Sequence, residues 1–122
     1  PVYVFIYHSM PHGLGDQLRV PVTAASFADT SAVFATQRQA LAAHVSQGSW
    51  LDHSQGAGCY LRVLDDLTTT VGRLSGRFAR AEGWRRHLHL GFSAADEDPL
   101  LEILGDKYLL NPAYPPPGNQ LR

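Results

Sequence analysis

The hydrophobic positions fall into short, distinct patterns. Residues 2–8, Val-Tyr-Val-Phe-Ile-Tyr-His, are apolar or aromatic with no alternation, which predicts a strand covered on both faces at the centre of a sheet. Ser9 to Asp16 contains Pro11, Gly13 and Gly15 and reads as a loop. Leu18 to Val22 is a second, short strand, weakened by Pro21. From Asp29 or Thr30 as N-cap to about Gln47 the chain is rich in Ala, Gln and Leu, with Gly48 as the stop, and predicts a helix whose narrow stripe is Phe34, Arg38, Leu41 and Val45. Ser49 to Gly58 reads as a loop around Trp50 and Leu51, and Cys59 to Val63 as a third strand.

Leu64, Leu67, Val71, Leu74 and Phe78 recur at alternating intervals of three and four, so a helix is expected from about Asp65 to Glu82. Beside that stripe run Gly72, Gly76, Ala79 and Gly83, a strip of small residues on which this chain's own sheet or a second copy can pack closely. Arg85 to Phe92 alternates Leu88, Leu90 and Phe92 with His87, His89 and Gly91, which predicts a half-buried fourth strand. Asp98 before Pro99 suits an N-cap with Pro at the first helical position, and Leu100, Leu101, Leu104 and Tyr108 mark a short helix that Gly105 interrupts. From Asn111 the chain is a proline-rich tail. The expected fold is α+β or α/β, a single compact domain over residues 1–122 with a mixed sheet of about four strands and three helices in the order β-β-α-β-α-β-α.

Composition narrows the function classes. The chain has 122 residues, 44% hydrophobic and 17% charged, which suits one folded soluble domain. No apolar run approaches the roughly 18 residues of a bilayer span, so no membrane partner is expected. A formal charge of −1 is unlike that of a dedicated nucleic-acid binder. One cysteine, Cys59, excludes an internal disulfide and suits a reducing, cytoplasmic setting.

Six histidines are the main chemical feature. His87 and His89 are two apart and face the same way if the segment is extended, and His8 at the end of the first strand completes a candidate set of three ligands for a divalent metal. His12 and His53 are further candidates. Arg73, Arg77, Arg80, Arg85 and Arg86 form a basic run, the first three on one helix face, opposed within the run by Glu82. His8, His12, His87, His89, Arg73 and Arg77 are therefore the candidate ligand-binding residues.

Three fragments resemble known families over a few residues each. His12-Gly13-Leu14-Gly15-Asp16 resembles an oxyanion loop of the α/β-hydrolases and Gly91-Phe92-Ser93-Ala94-Ala95 a degraded nucleophile elbow. Ala95 stands in place of the elbow's last Gly, and no His follows Ser93. Pro1 before an apolar strand is similar to the opening of the tautomerase superfamily, which implies a proline base or nucleophile, but Pro-Gly punctuation replaces the helix that should follow.

The sequence thus predicts a small binding or interaction module, regulatory or accessory in character, acting on a small molecule or a protein partner and a candidate homodimer. The competing expectation is a small histidine-dependent, metal-assisted enzyme such as a hydrolase.

Overall fold

The structure, a computed structural model, describes residues 7–11, 14–86 and 97–114. Its elements are β1 (Tyr7–Ser9), β2 (Ser26–Asp29), α1 (Phe34–Ala42), α2 (Val45–Gln55), α3 (Cys59–Ser75), β3 (Ala81–Arg86), α4 (Pro99–Leu104) and β4 (Tyr108–Leu110). The fold is α+β, with an antiparallel four-stranded sheet in the order β1-β3-β2-β4. The chain divides into two compact units, one formed by the segments up to Ala28 and from Glu82 onward, the other by Asp29–Ala81.

In the sheet unit, β1 pairs with β3 in the register Tyr7 to Arg86, His8 to Arg85 and Ser9 to Trp84. Among the described strands β1 lies at one end; residues 2–6, most of the strand expected at 2–8, lie outside the described residues. His8 and Ser9 of β1 are exposed, whereas Ser26, Phe27 and Ala28 of β2 are all buried. Small residues make that interior position, and Met10, Ala24 and Phe27 form its apolar core at 8, 3 and 4% exposure. Gly83 is required beside them, because a Cβ there would stand inside contact distance of Met10 Cγ.

In the sheet unit the Ala25 N–H donates to Trp84 O, and in the helical unit the Thr30 N–H donates to Arg80 O. The expected second strand at Leu18–Val22 reduces to a single bridge between Gly15 and Pro21.

The helical unit departs further from the expected pattern. The helix expected over residues 30–47 begins as a 3-10 turn at Ser31–Val33, becomes α1, and breaks at His44 before α2. Gly48 does not stop it. That residue is buried within α2, where a Cβ would stand 2.9 Å from the Tyr60 hydroxyl. The expected loop at Ser49–Gly58 is thus mostly helical.

The third strand expected at Cys59–Val63 does not form; these residues are the first turns of α3. Gly56 and Gly58, at φ 96° and 65°, turn the chain between the helices, and Tyr60 extends the stripe of Leu64, Leu67 and Val71 backward at helical spacing. Val71 is the buried centre at 2% exposure, while Leu74 is 56% exposed. α3 ends at Gly76, earlier than expected, so Arg77, Phe78 and Arg80 lie beyond it.

The small-residue strip is consequently divided among different elements. Gly72 faces the returning backbone, and a Cβ there would meet Ala79 O at 2.6 Å and Phe78 O at 2.8 Å. The close packing at Gly72 is thus against this chain's own backbone. Arg80 then fastens the return: its guanidinium pairs with Asp65, bonds Thr68 Oγ1 at 3.0 Å and Thr69 Oγ1 at 3.2 Å, and lies 3.8 Å from the centre of the Phe34 ring. Among the described residues no helix is long and apolar enough to cross a membrane.

Candidate functional site

Among the described residues Asp98 gathers several polar side chains in the sheet unit. Pro99 opens α4 as expected, but the Asp98 carboxylate makes no cap bond to the helix. It accepts the Tyr7 hydroxyl at 2.7 Å and the Tyr108 hydroxyl at 3.1 Å, with Arg86 Nη1 3.6 Å away. Tyr108 also lies 2.6 Å from Ser26 Oγ. Tyr108 was expected on the terminal helix; Gly105, at φ 53° and ψ −119°, ends α4, and Tyr108 enters β4 instead.

Burial, reinforced by the neighbouring carboxylate, drives the Tyr7 hydroxyl far above the usual tyrosine range and pushes Tyr108 up to about 12. Both hydroxyls therefore remain protonated donors at neutral pH. As donors to the Asp98 carboxylate they tie β1, β2, β3 and β4 to the start of α4.

The residues singled out from sequence do not form one described cluster. His8 is exposed on β1 and opposite Arg85 in the β1–β3 ladder. His12, His87 and His89, together with Pro1 and Ser93, lie outside the described residues. Among the described residues no three His, Cys, Asp or Glu side chains come together in a metal-binding group. Arg73 is exposed on α3 and bonds Thr70 Oγ1 at 3.1 Å; Arg77 is exposed past the helix, with its guanidinium 5.5 Å from the Phe78 ring centre. The expected single arginine face on a helix is corrected accordingly, because α3 stops at Ser75 and Arg80 turns to Asp65. Cys59 is half-buried at the start of α3.

A different feature stands out between β1 and β2. Asp16 Oδ1 accepts the N–H groups of Leu18 at 2.7 Å and Val20 at 2.9 Å, while the Asp16 N–H donates to Val20 O and the Arg19 N–H to Asp16 O. Val22 N–H to Leu14 O closes the base of this small loop. Leu14 and Arg19 adopt left-handed backbone at φ 58° and 63°. Such residues cost about 1–2 kcal/mol each and persist only where their surroundings over-determine them.

The anchors on either side are firm. Met10 N–H donates to Gly83 O and Ala25 N–H to Trp84 O, so the segment leaves and rejoins the sheet on β3. Its tip displays Leu18 at 77% exposure and Val20 at 54%, with Arg19 exposed between them. The sequence pattern predicts a loop as far as Asp16 and a weak strand over Leu18–Val22. The available signal was Asp16 after Gly15, an acceptor placed to bond backbone two and four residues on.

No family model, no curated protein and no solved structure matches the chain.

Proposed function

We propose that the chain is a binding module that engages a protein partner through the loop Leu14–Val22. The observation that carries this reading is the exposure of Leu18 at the tip of a turn held by the Asp16 carboxylate and by two strained backbone positions. A fixed tip loses little conformational freedom on binding, and burying a leucine side chain contributes about 1.5–3 kcal/mol. Arg19, beside it, adds a planar donor able to pair with a partner carboxylate. Cys59 as the single cysteine suits action in the cytoplasm.

The test is selection of a displayed peptide library on the purified chain. Binding peptides whose affinity falls at least about tenfold on Leu18→Asp, with the thermal transition unchanged, support the reading. Peptides bound equally by the wild type and by Leu18→Asp and Val20→Asp variants would overturn it.

A histidine-dependent enzyme is the second reading, favoured by the exposure of His8 beside the strand that leads into His87 and His89. Metal analysis of untreated protein separates the two: stoichiometric zinc lost on His8→Ala supports the enzyme, and a metal content unchanged by that substitution removes it.

A further inference from the structure

The exposed arm of the Leu14–Val22 loop has no backbone donor left to offer. The Leu18 and Val20 N–H groups both donate to Asp16 Oδ1, the Arg19 N–H to Asp16 O and the Val22 N–H to Leu14 O. Position 21 is proline, which has no N–H. A strand that adds to a sheet edge exchanges hydrogen bonds with both N–H and C=O groups along it, so residues 18–22 do not provide a full edge for an incoming strand. Recognition by this arm falls to its side chains.

Those side chains carry one uncompensated charge. Leu18 and Val20 are 77% and 54% exposed, and the exposed Arg19 between them makes no side-chain hydrogen bond or ion pair among the described residues. The one carboxylate of residues 14–22, that of Asp16, is engaged by the Leu18 and Val20 N–H groups. A guanidinium between two aliphatic side chains is complementary to a carboxylate set beside apolar groups. Covering Leu18 and Val20 would exclude water from such a pair, which lowers the local dielectric and strengthens the attraction.

We propose that the loop's partner is an acidic, apolar protein segment: an Asp or Glu carboxylate pairs with Arg19, aliphatic or aromatic side chains beside it cover Leu18 and Val20, and recognition runs through side chains rather than strand addition. The proposal rests on the loop being the binding surface and adds the chemistry of what it binds.

The experiment takes library peptides whose binding to the full chain depends on Leu18. Each is resynthesised with every Asp or Glu changed in turn to Asn or Gln, and separately with N-methyl groups on alternate backbone amides. Calorimetric titration then compares the wild type with Arg19→Gln and Arg19→Lys. One acidic position is expected whose neutralisation weakens binding to the wild type about tenfold and binding to Arg19→Gln hardly at all, with Arg19→Lys between them. Added sodium chloride should weaken the wild-type complex more than the Arg19→Gln complex, and N-methylation should change affinity less than about threefold. If Arg19→Gln disturbs the turn, seen as faster exchange of the Leu18 and Val20 amides, the neutralised peptides on the wild-type chain carry the test. Leu18-dependent peptides that tolerate both neutralisation and Arg19→Gln, or that lose binding on N-methylation, overturn this proposal and leave the loop as a binding surface. A selection that yields no Leu18-dependent peptide overturns both.

Discussion

Replacing Asp98 by Asn tests the polar network at its centre. The amide keeps the shape but removes the charge that faces Arg86 and replaces one acceptor oxygen by an NH2 group. Tyr7 and Tyr108 both reach this carboxylate, and Tyr108 is 4% exposed. A hydrogen bond to a charged group contributes about 1.5–3 kcal/mol, and the amide can retain one of the two, so the expected loss is about 2–4 kcal/mol. Urea unfolding of the wild type, Asp98→Asn, Tyr108→Phe and the double variant supplies the measurement. Because the groups share one acceptor, Tyr108→Phe should cost less in the Asn background than in the wild type.

The alkaline limb gives a second reading of the same network. Tyrosine in the unfolded chain ionises near 10, whereas Tyr108 in the fold holds its proton to about 12. The stability tied to its neutral form is complete below pH 10 and is lost as pH rises from 10 to 12, by about 2 kcal/mol. Tyr108→Phe should flatten that loss. A cost below about 0.5 kcal/mol for Asp98→Asn, or an alkaline slope untouched by Tyr108→Phe, would refute the reasoning.

Other expectations follow from single contacts. Gly72→Ala forces a Cβ to 2.6 Å from the Ala79 carbonyl oxygen, a backbone atom with little room to move, and should lower stability by about 2–4 kcal/mol in thermal or urea unfolding. Asp16→Ala removes the acceptor of two backbone N–H groups in an exposed loop, so the Leu18 and Val20 amides should exchange about tenfold faster with little change in global stability. Arg19→Gly relieves a left-handed position at φ 63° and should be neutral or stabilising by up to about 1 kcal/mol, a result that a clear loss of stability would contradict. Arg80→Met removes the guanidinium from the Phe34 ring and leaves Asp65 and two threonines without that partner, with an expected cost of about 1–2 kcal/mol by urea unfolding.

The sequence was most legible where one face of an element is apolar. The stripe of Leu64, Leu67 and Val71 located the heart of α3, and Asp98-Pro99 located the start of α4. Boundaries failed where glycines act through tertiary contacts. Gly48 reads as a stop and is instead the flat place against Tyr60, while Gly56 and Gly58, taken as part of a loop before a strand, set the entry to α3. α2 past Gln47 reads as a loop because its apolar residues form no buried stripe: Val45 and Trp50 are 71% and 67% exposed, and Leu51 is half-buried. β2 escaped for the opposite reason: Ser26, Phe27 and Ala28 are buried without forming a strongly hydrophobic run. The sequence singles out His8 and reads Arg85 within a basic run, without showing that the two stand opposite each other on β1 and β3. The pairing register is long-range information that spacing along the chain does not contain.

Aspartates do much of the organising, and their positions distinguish maintenance of the fold from display. Asp98 is drawn in among tyrosines and Asp65 meets Arg80 across a chain return, so both join elements far apart in sequence. Asp16 bonds only backbone within four residues of itself and holds no distant element. Its effect is to fix an exposed turn, which contributes little to a core already formed by Met10, Ala24 and Phe27. A turn fixed at the cost of two left-handed side-chain-bearing residues, yet contributing little apolar burial, is better explained by what it presents than by what it supports. The division has a measurable consequence: Asp98→Asn should move the unfolding midpoint and Asp16→Ala should leave it nearly in place, while Asp16→Ala and the loop substitutions Leu18→Asp and Val20→Asp should weaken peptide binding and Asp98→Asn should not. If Asp16→Ala lowered stability as much as Asp98→Asn, the loop would be a structural clamp, and the argument that it is a recognition surface would lose its basis.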